Sequence, residues 1–258
     1  MSIVNTDGED RAATALLEVV VLHPRDVPGA DEGGADRLFV VADIESGGLS
    51  PEPAAVSAIC KDTEVPARVM LRLNDGLTTT GGELNRLVGL AEDYVSVGAE
   101  GVSFGFLTAD LEIDLEVCSY LADRLPRVPW TFHRAVDSVL STDRAWRQLP
   151  GLPGLDAVLS AGSPRGLEAG VDELVDRAAA DPHVARLLMA GGGLRGEHVP
   201  WLSRAGVRQF HVGSTVRPGG SWTKSYVDPA HVRSWRMLVD DAVAHAESLH
   251  RAAGGSDG

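Results

Sequence analysis

The sequence predicts an α/β fold, a single-domain (β/α)8 TIM barrel, on three observations. Eight short apolar runs alternate with longer amphipathic stretches from residue 16 to the C-terminal region. Glycine punctuates the approach to every second run, at Gly34, Gly98, Gly154 and Gly206, at nearly even intervals. The chain has 258 residues, the size of one such barrel.

The runs cover residues 16–22, 37–42, 67–73, 101–107, 130–136, 157–161, 185–190 and 209–212. Each has strand length and is apolar on both faces, as parallel strands are when they lie between a core and covering helices. A glycine just past a helix adopts the left-handed conformation without Cβ strain, and the polar residue after it starts the next strand. Val65-Pro66 and Val128-Pro129 open two odd strands, with proline at the tolerated first position. The first crossover, 24–33, contains Pro24, Pro28 and Gly29 and is expected to hold a turn or so of helix. Ser50-Pro51 is expected to start the next helix, serine as N-cap and proline at the first helical position. Cys60 and Cys118 each fall within a helix and read as small buried hydrophobes. Asp228-Pro229 opens the last helix, where Val232, Trp235, Leu238, Val239, Ala242, Val243 and Ala246 form one stripe. The barrel domain is expected to span 15–252, with residues 1–14 and 253–258 as disordered ends.

Composition narrows the function. A net charge of −14 repels phosphate backbones and anionic membrane surfaces, so no nucleic-acid or membrane partner is expected. No run approaches the 18 or so apolar residues a spanning helix needs, and the acidic first residues do not read as a signal peptide. Two cysteines make no disulfide framework, which suits a cytoplasmic location.

Barrels of this kind work at the carboxyl ends of their strands. Polar groups appear late in otherwise apolar runs: Glu18, Arg72, His133, Arg134, Ser160 and His211. A buried charge must pair, reach water or bind something. Glu18 and Arg72 read either as an ion pair plugging the barrel or as ligand contacts. Together with His133 and His211 they are the candidate catalytic residues, with Arg72 holding a carboxylate or phosphate and Glu18 or His133 moving a proton. Asp137 reads as an orienter of His133 or, preferably, as a helix cap. Ala190-Gly191-Gly192-Gly193 and Gly213-Ser214-Thr215 follow the seventh and eighth runs, where this fold commonly binds phosphate. Gly192, Gly193, Gly213 and Ser214 are therefore candidate anion contacts, and a small anionic ligand is the expected partner. Glu18, His133 and His211 also compose a two-histidine, one-carboxylate metal set.

In order along the chain, several segments resemble the CutC family of copper homeostasis proteins. They include Leu17-Glu18-Val19, Glu32-Gly33-Gly34-Ala35-Asp36-Arg37, Gly47-Gly48-Leu49-Ser50-Pro51 and Met70-Leu71-Arg72. Gly105-Phe106-Leu107-Thr108-Ala109-Asp110, Thr131-Phe132-His133-Arg134-Ala135-Val136-Asp137 and Phe210-His211 continue the pattern. The resemblance implies a cytoplasmic, oligomeric barrel linked to copper tolerance and copper binding. It departs where copper chemistry would need it. The family's copper-binding pattern implies a cysteine after the first-strand Glu-Val and another ending the second strand, and these positions hold Val20 and Val41. Cu(I) prefers thiolate or thioether ligands, so weak or absent Cu(I) binding is expected. His133, His211 and Met70 are the residues to try first if copper binds. The family's arginine-proline-arginine stretch reads Arg72-Leu73-Asn74. The resemblance also implies a homodimer, and Trp222, Tyr226 and Trp235 are candidates for its interface, for the barrel rim or for helix packing.

Overall fold

The computed structural model describes residues 15–44 and 47–254. The disordered ends expected at 1–14 and 255–258 lie outside the described residues, while 253–254 continue the last helix. Eight strands close into one parallel barrel in sequence order: β1 (Leu16–Val21), β2 (Arg37–Val40), β3 (Ala67–Met70), β4 (Gly101–Phe104), β5 (Trp130–Phe132), β6 (Leu155–Ser160), β7 (Leu188–Ala190) and β8 (Gln209–Val212). Around them run α1 (Val27–Gly33), α2 (Pro53–Lys61), α3 (Gly81–Ser96), α4 (Leu115–Arg124), α5 (Thr142–Gln148), α6 (Val171–Ala180), α7 (Pro182–Leu187), α8 (Val199–Arg204) and α9 (Pro229–Gly254). Among the described residues, no helix is long and apolar enough to cross a membrane.

The period of two decides which side chains do what. Leu17, Val19, Val21, Leu38, Val40, Val69, Val102 and Phe104 point outward and share one apolar core with the helices. The alternate positions fill the barrel. Its upper part is Val20, Phe39, Val41 and Met70; another cluster is Ala157, Leu159 and Met189. Between them lie charged residues in register, because Glu18 pairs with Arg37 across β1–β2 and with His211 across β1–β8.

The four punctuating glycines have φ of 88° (Gly34), 113° (Gly98), 72° (Gly154) and 97° (Gly206), so each needs the freedom that only a missing Cβ provides. Asp228 caps α9 by accepting from the backbone N–H groups of Ala230 and His231. Several expectations are corrected. The first crossover holds a short 3-10 turn and then seven residues of α1, because Pro28 sits in the first turn, where no N–H is needed. In the second helix Glu52 is the N-cap and Pro53 the first helical residue, two positions later than Ser50-Pro51. The Ser50 hydroxyl instead accepts the Arg72 N–H at 2.8 Å, tying the loop after β2 to the end of β3. The seventh strand begins at Leu188, since Asp181 caps a further helix, α7, over residues otherwise apolar enough for a strand.

The lower end of the barrel is closed by Arg68, wholly buried at the start of β3. A register shift between β5 and β6 places Asp156 opposite no β5 residue, and its carboxylate takes Arg68 at 2.6 and 2.9 Å. Glu100 and the Thr131 hydroxyl also accept from its terminal N–H groups, while Arg68 Nε has no hydrogen-bond partner among the described residues. At the upper end, buried Asp26 accepts from Arg217 at 2.7 Å and from the backbone N–H groups of Leu22 and Val227. That ion pair pins the 213–228 segment over the loop after β1, and Trp222 on this segment packs against the Val20, Phe39, Val41 and Met70 cluster.

Candidate functional site

A cavity of about 450 Å³ opens at the barrel mouth. Val20, Phe39, Val41, Met70, Leu159 and Trp222 supply its apolar wall, and Arg72, His133, Arg134, His211 and Ser214 its polar groups. Among the described residues no aspartate or glutamate lines it, so the described wall of a protein of net charge −14 presents cations at this opening.

His211 sits on β8 with its Nδ1 2.7 Å from Glu18 Oε1. The other carboxylate oxygen, Oε2, accepts Arg37 Nε at 2.5 Å. Burial would raise the Glu18 pKa, but Arg37, His211 and Arg68 outweigh it and hold the carboxyl at about 2. An ionised Glu18 makes Nδ1–H the donor, and in the neutral ring this leaves the lone pair on Nε2, at the far side. Phe39 holds that ring edge-on, centroids 5.1 Å apart.

His133 follows β5 and shows the opposite tautomer. Its Nδ1 accepts the Ala135 N–H at 3.2 Å, so the ring proton resides on Nε2. Burial, with a smaller contribution from Arg72, pushes the imidazole down to about 3, and it is neutral at physiological pH. His133 Nε2 is buried and makes no hydrogen bond among the described residues. A buried donor left unsatisfied costs on the order of 1–3 kcal/mol, a debt that a bound acceptor removes.

Sequence reasoning placed Arg72, His133, His211 and the four glycine-loop residues on one cavity wall, and all of them line it. Glu18 does not line it; it lies beneath, wholly buried. Its cation is Arg37, which rules out the Glu18–Arg72 ion pair, one of the two alternatives for these residues. Arg72 instead directs its N–H groups to the carbonyls of Gly47, Gly48, Asp75 and Gly76, bracing two loops while keeping its charge at the wall. Asp137 neither orients His133 nor caps a helix. It binds Arg134 Nε at 2.8 Å, the Ser160 hydroxyl at 2.6 Å and the Ala161 N–H, and Ser141 caps α5.

The loop glycines serve neighbouring side chains. A Cβ on Gly192 would lie 2.7 Å from Arg134 Nε, and one on Gly191 would lie 2.9 Å from His211 Cβ. One on Gly213 would strike the Trp222 indole. The bare backbone therefore seats Arg134, His211 and Trp222 around the opening. Arg37 was missed because it opens its run, where a charge reads as a boundary. Its parity with inward Phe39 and Val41, beside a buried Glu18 in need of a cation, is the signal that identifies it.

The family is decided by sequence comparison. A model described as the CutC family matches residues 15–216. The chain belongs to the CutC family. The human copper homeostasis protein cutC homolog is 30% identical over 201 residues, covering 76% of this chain and 72% of its own. A family protein CutC from Enterobacter sp. (strain 638) is 27% identical over 247 residues, 94% of each chain. A solved CutC structure from Streptococcus agalactiae superposes with a TM-score of 0.67 at 23% identity, covering 78% of this chain and 98% of that one. Thiamine phosphate pyrophosphorylase from Pyrococcus furiosus reaches 0.58 at 16% identity over 90% of this chain and 98% of its own, a likeness of the barrel alone.

In this CutC chain the mouth does not fit a thiolate copper centre. Val20 and Val41 stand where the resemblance implies cysteines, and both are buried beside Met70. The chain's two cysteines are elsewhere, Cys60 half-buried on α2 and Cys118 buried on α4. His133 presents a protonated Nε2, and shifting that proton to Nδ1 would set N–H against the Ala135 N–H. Glu18 has both oxygens engaged, so the Glu18, His133 and His211 metal set is not assembled. Among the described residues, the one trio of candidate ligands within mutual reach is Glu168, Glu197 and His198 on the outer surface. Arg195 already pairs with both of its carboxylates.

Proposed function

We propose that this CutC protein serves copper homeostasis, the role named for its relatives, by binding a small anionic metabolite at the barrel mouth and not by holding Cu(I) there. The observation that carries this reading is the buried Nε2–H of His133, unpartnered among the described residues, on a cavity wall whose described residues include Arg72 and Arg134 and no carboxylate. Such a site favours a ligand that presents an acceptor and negative charge to the polar wall and an apolar body to Val20, Phe39 and Met70. For Cu(I) the same mouth offers one thioether, Met70, and one imidazole lone pair, on His211, fewer soft donors than a tight site requires. On this reading the protein works in the cytoplasm, as the family resemblance implies.

Anaerobic titration against a competing Cu(I) chelator tests the copper half. Little or no stoichiometric uptake is expected, and a tight one-to-one site that survives in the Cys60→Ser, Cys118→Ser double variant would contradict it. Crystals grown in sulfate or phosphate test the other half, with an anion expected between Arg72, Arg134 and His133. A mouth that stays empty at high anion concentration counts against the reading.

A further inference from the structure

We propose that the mouth cavity is a proton-transfer site, in which His211 removes a proton from a carbon next to a carbonyl and His133 donates a hydrogen bond to the carbonyl oxygen as it becomes an enolate oxygen. The inference rests on the reading of the mouth as a metabolite site and adds the reaction class. Its basis is a pair of histidines with opposite tautomers facing one cavity. His133 is fixed as a donor, because its Nδ1 is occupied by the Ala135 N–H. His211, in its neutral form, is fixed as an acceptor, because its Nδ1–H is committed to Glu18. Among the described residues no carboxylate lines the wall, and His211 is the base they offer.

The layers beneath support each role. Glu18 is a positioning residue: it fixes the His211 tautomer and stabilises the imidazolium that forms when Nε2 takes a proton. Arg37, on the far oxygen of Glu18 at 2.5 Å, keeps that carboxylate ionised, so the proton stays on His211. On the opposite side, a neutral imidazole N–H is a suitable partner for a developing enolate, since it stabilises the oxygen without first having to lose a charge. Arg72 and Arg134 add positive potential where the negative charge accumulates.

The step balances without a co-reactant. The C–H electron pair becomes the carbon–carbon π bond, the carbonyl π pair moves to oxygen, and the proton passes to His211 Nε2. Return of the proton to either face of the same carbon restores the carbonyl and regenerates the base. Nothing is oxidised or reduced. The substrate class is a small carbonyl compound carrying a carboxylate or phosphate, with an enolisable carbon and room for a short apolar chain.

The test is deuterium uptake in D2O by dihydroxyacetone phosphate, 2-oxobutyrate and 4-methyl-2-oxopentanoate, followed by proton NMR with the full chain. Binding is read from the same samples by saturation transfer. Accelerated exchange of at least one probe is expected, with a loss of about 100-fold in His211→Gln and in His133→Gln. Binding without accelerated exchange would overturn this inference and leave the metabolite site standing; no binding by any of the three would overturn both. Nitrogen-15 NMR of the wild-type histidines gives a readout independent of how the variants fold. Nε2–H on His133 and Nδ1–H on His211 are expected, and either tautomer reversed would remove the basis of the proposal.

Discussion

At the scale of single residues, Val20 and Val41 separate this chain's chemistry from the copper binding its resemblance implies. Both side chains belong to the cluster that also holds Met70, so thiols at these positions would converge with a thioether at the mouth. Cysteine is close to valine in volume, and the fold should accept the exchange. The Val20→Cys, Val41→Cys variant is expected to withdraw Cu(I) from a competing chelator, while the parent does not. A double variant no better than the parent would show that the mouth lacks copper-binding geometry whatever its ligands. Two buried ionisable groups also set a pH dependence. His133 titrates at about 3 when folded against an ordinary 6.5, and Glu18 at about 2 against 4.5. Both folded values are depressed, so each contribution to stability is complete above the ordinary value and is lost as pH falls toward the folded one. Between pH 6.5 and 4.5 His133 is the larger source of loss, with His198 acting in the same direction. The expected slope is up to about 1.4 kcal/mol per pH unit for one proton. Urea unfolding of wild type and His133→Gln at pH 6.5, 5.5 and 4.5 isolates that contribution, because Asp137, held up by burial, is common to both proteins. The variant should show the flatter dependence; parallel curves would mean that His133 is not held neutral.

At the scale of elements, the strands and the glycine punctuation were readable because each follows from local chemistry. Short runs apolar on both faces marked the strands, and positive φ at Gly34, Gly98, Gly154 and Gly206 accounts for the spacing. Strand ends were read two to four residues too long at β2, β3, β4 and β5, since the residues past each strand leave the ladder. Partnerships were hidden for a different reason. Glu18 with Arg37, Asp26 with Arg217 and Asp137 with Ser160 depend on barrel register or chain return, which no local pattern encodes. The mouth's candidates were legible as late-strand polar residues, but the opposite tautomers of His133 and His211 follow from hydrogen bonds seen only in three dimensions. The seam between α1 and α9 has its own test. A Cβ on Gly33 would overlap Val232 Cβ, where α1 packs on α9. Gly33→Ala is expected to cost about 1–3 kcal/mol despite alanine's better helix propensity. Thermal unfolding should register this as a melting temperature lower by several degrees, and an unchanged melt would show that the two helices can part freely.

For the whole molecule, a net charge of −14 surrounds a mouth lined by arginines and histidines. A diffusing anion must cross a repulsive exterior to reach an attractive pocket, so its on-rate should rise with salt while its affinity falls. The aromatic residues considered for a subunit interface have partners within the chain: Trp222 packs on Gly213 at the rim, Trp235 is buried on α9, and Tyr226 lies over His23 and Arg25. A homodimer therefore stands as a proposal from family resemblance alone, and light scattering over a range of concentrations tests it, with a constant monomer mass contradicting it. The central claim, that this CutC mouth takes a small anion and not copper, is tested most directly by a crystal structure of untagged, untreated protein with anomalous data collected at the copper edge. The expected result is organic density in the cavity, its negative group beside Arg72 and Arg134 and an acceptor on His133 Nε2, with no anomalous peak. A copper peak bound by His211 and Met70 would contradict it.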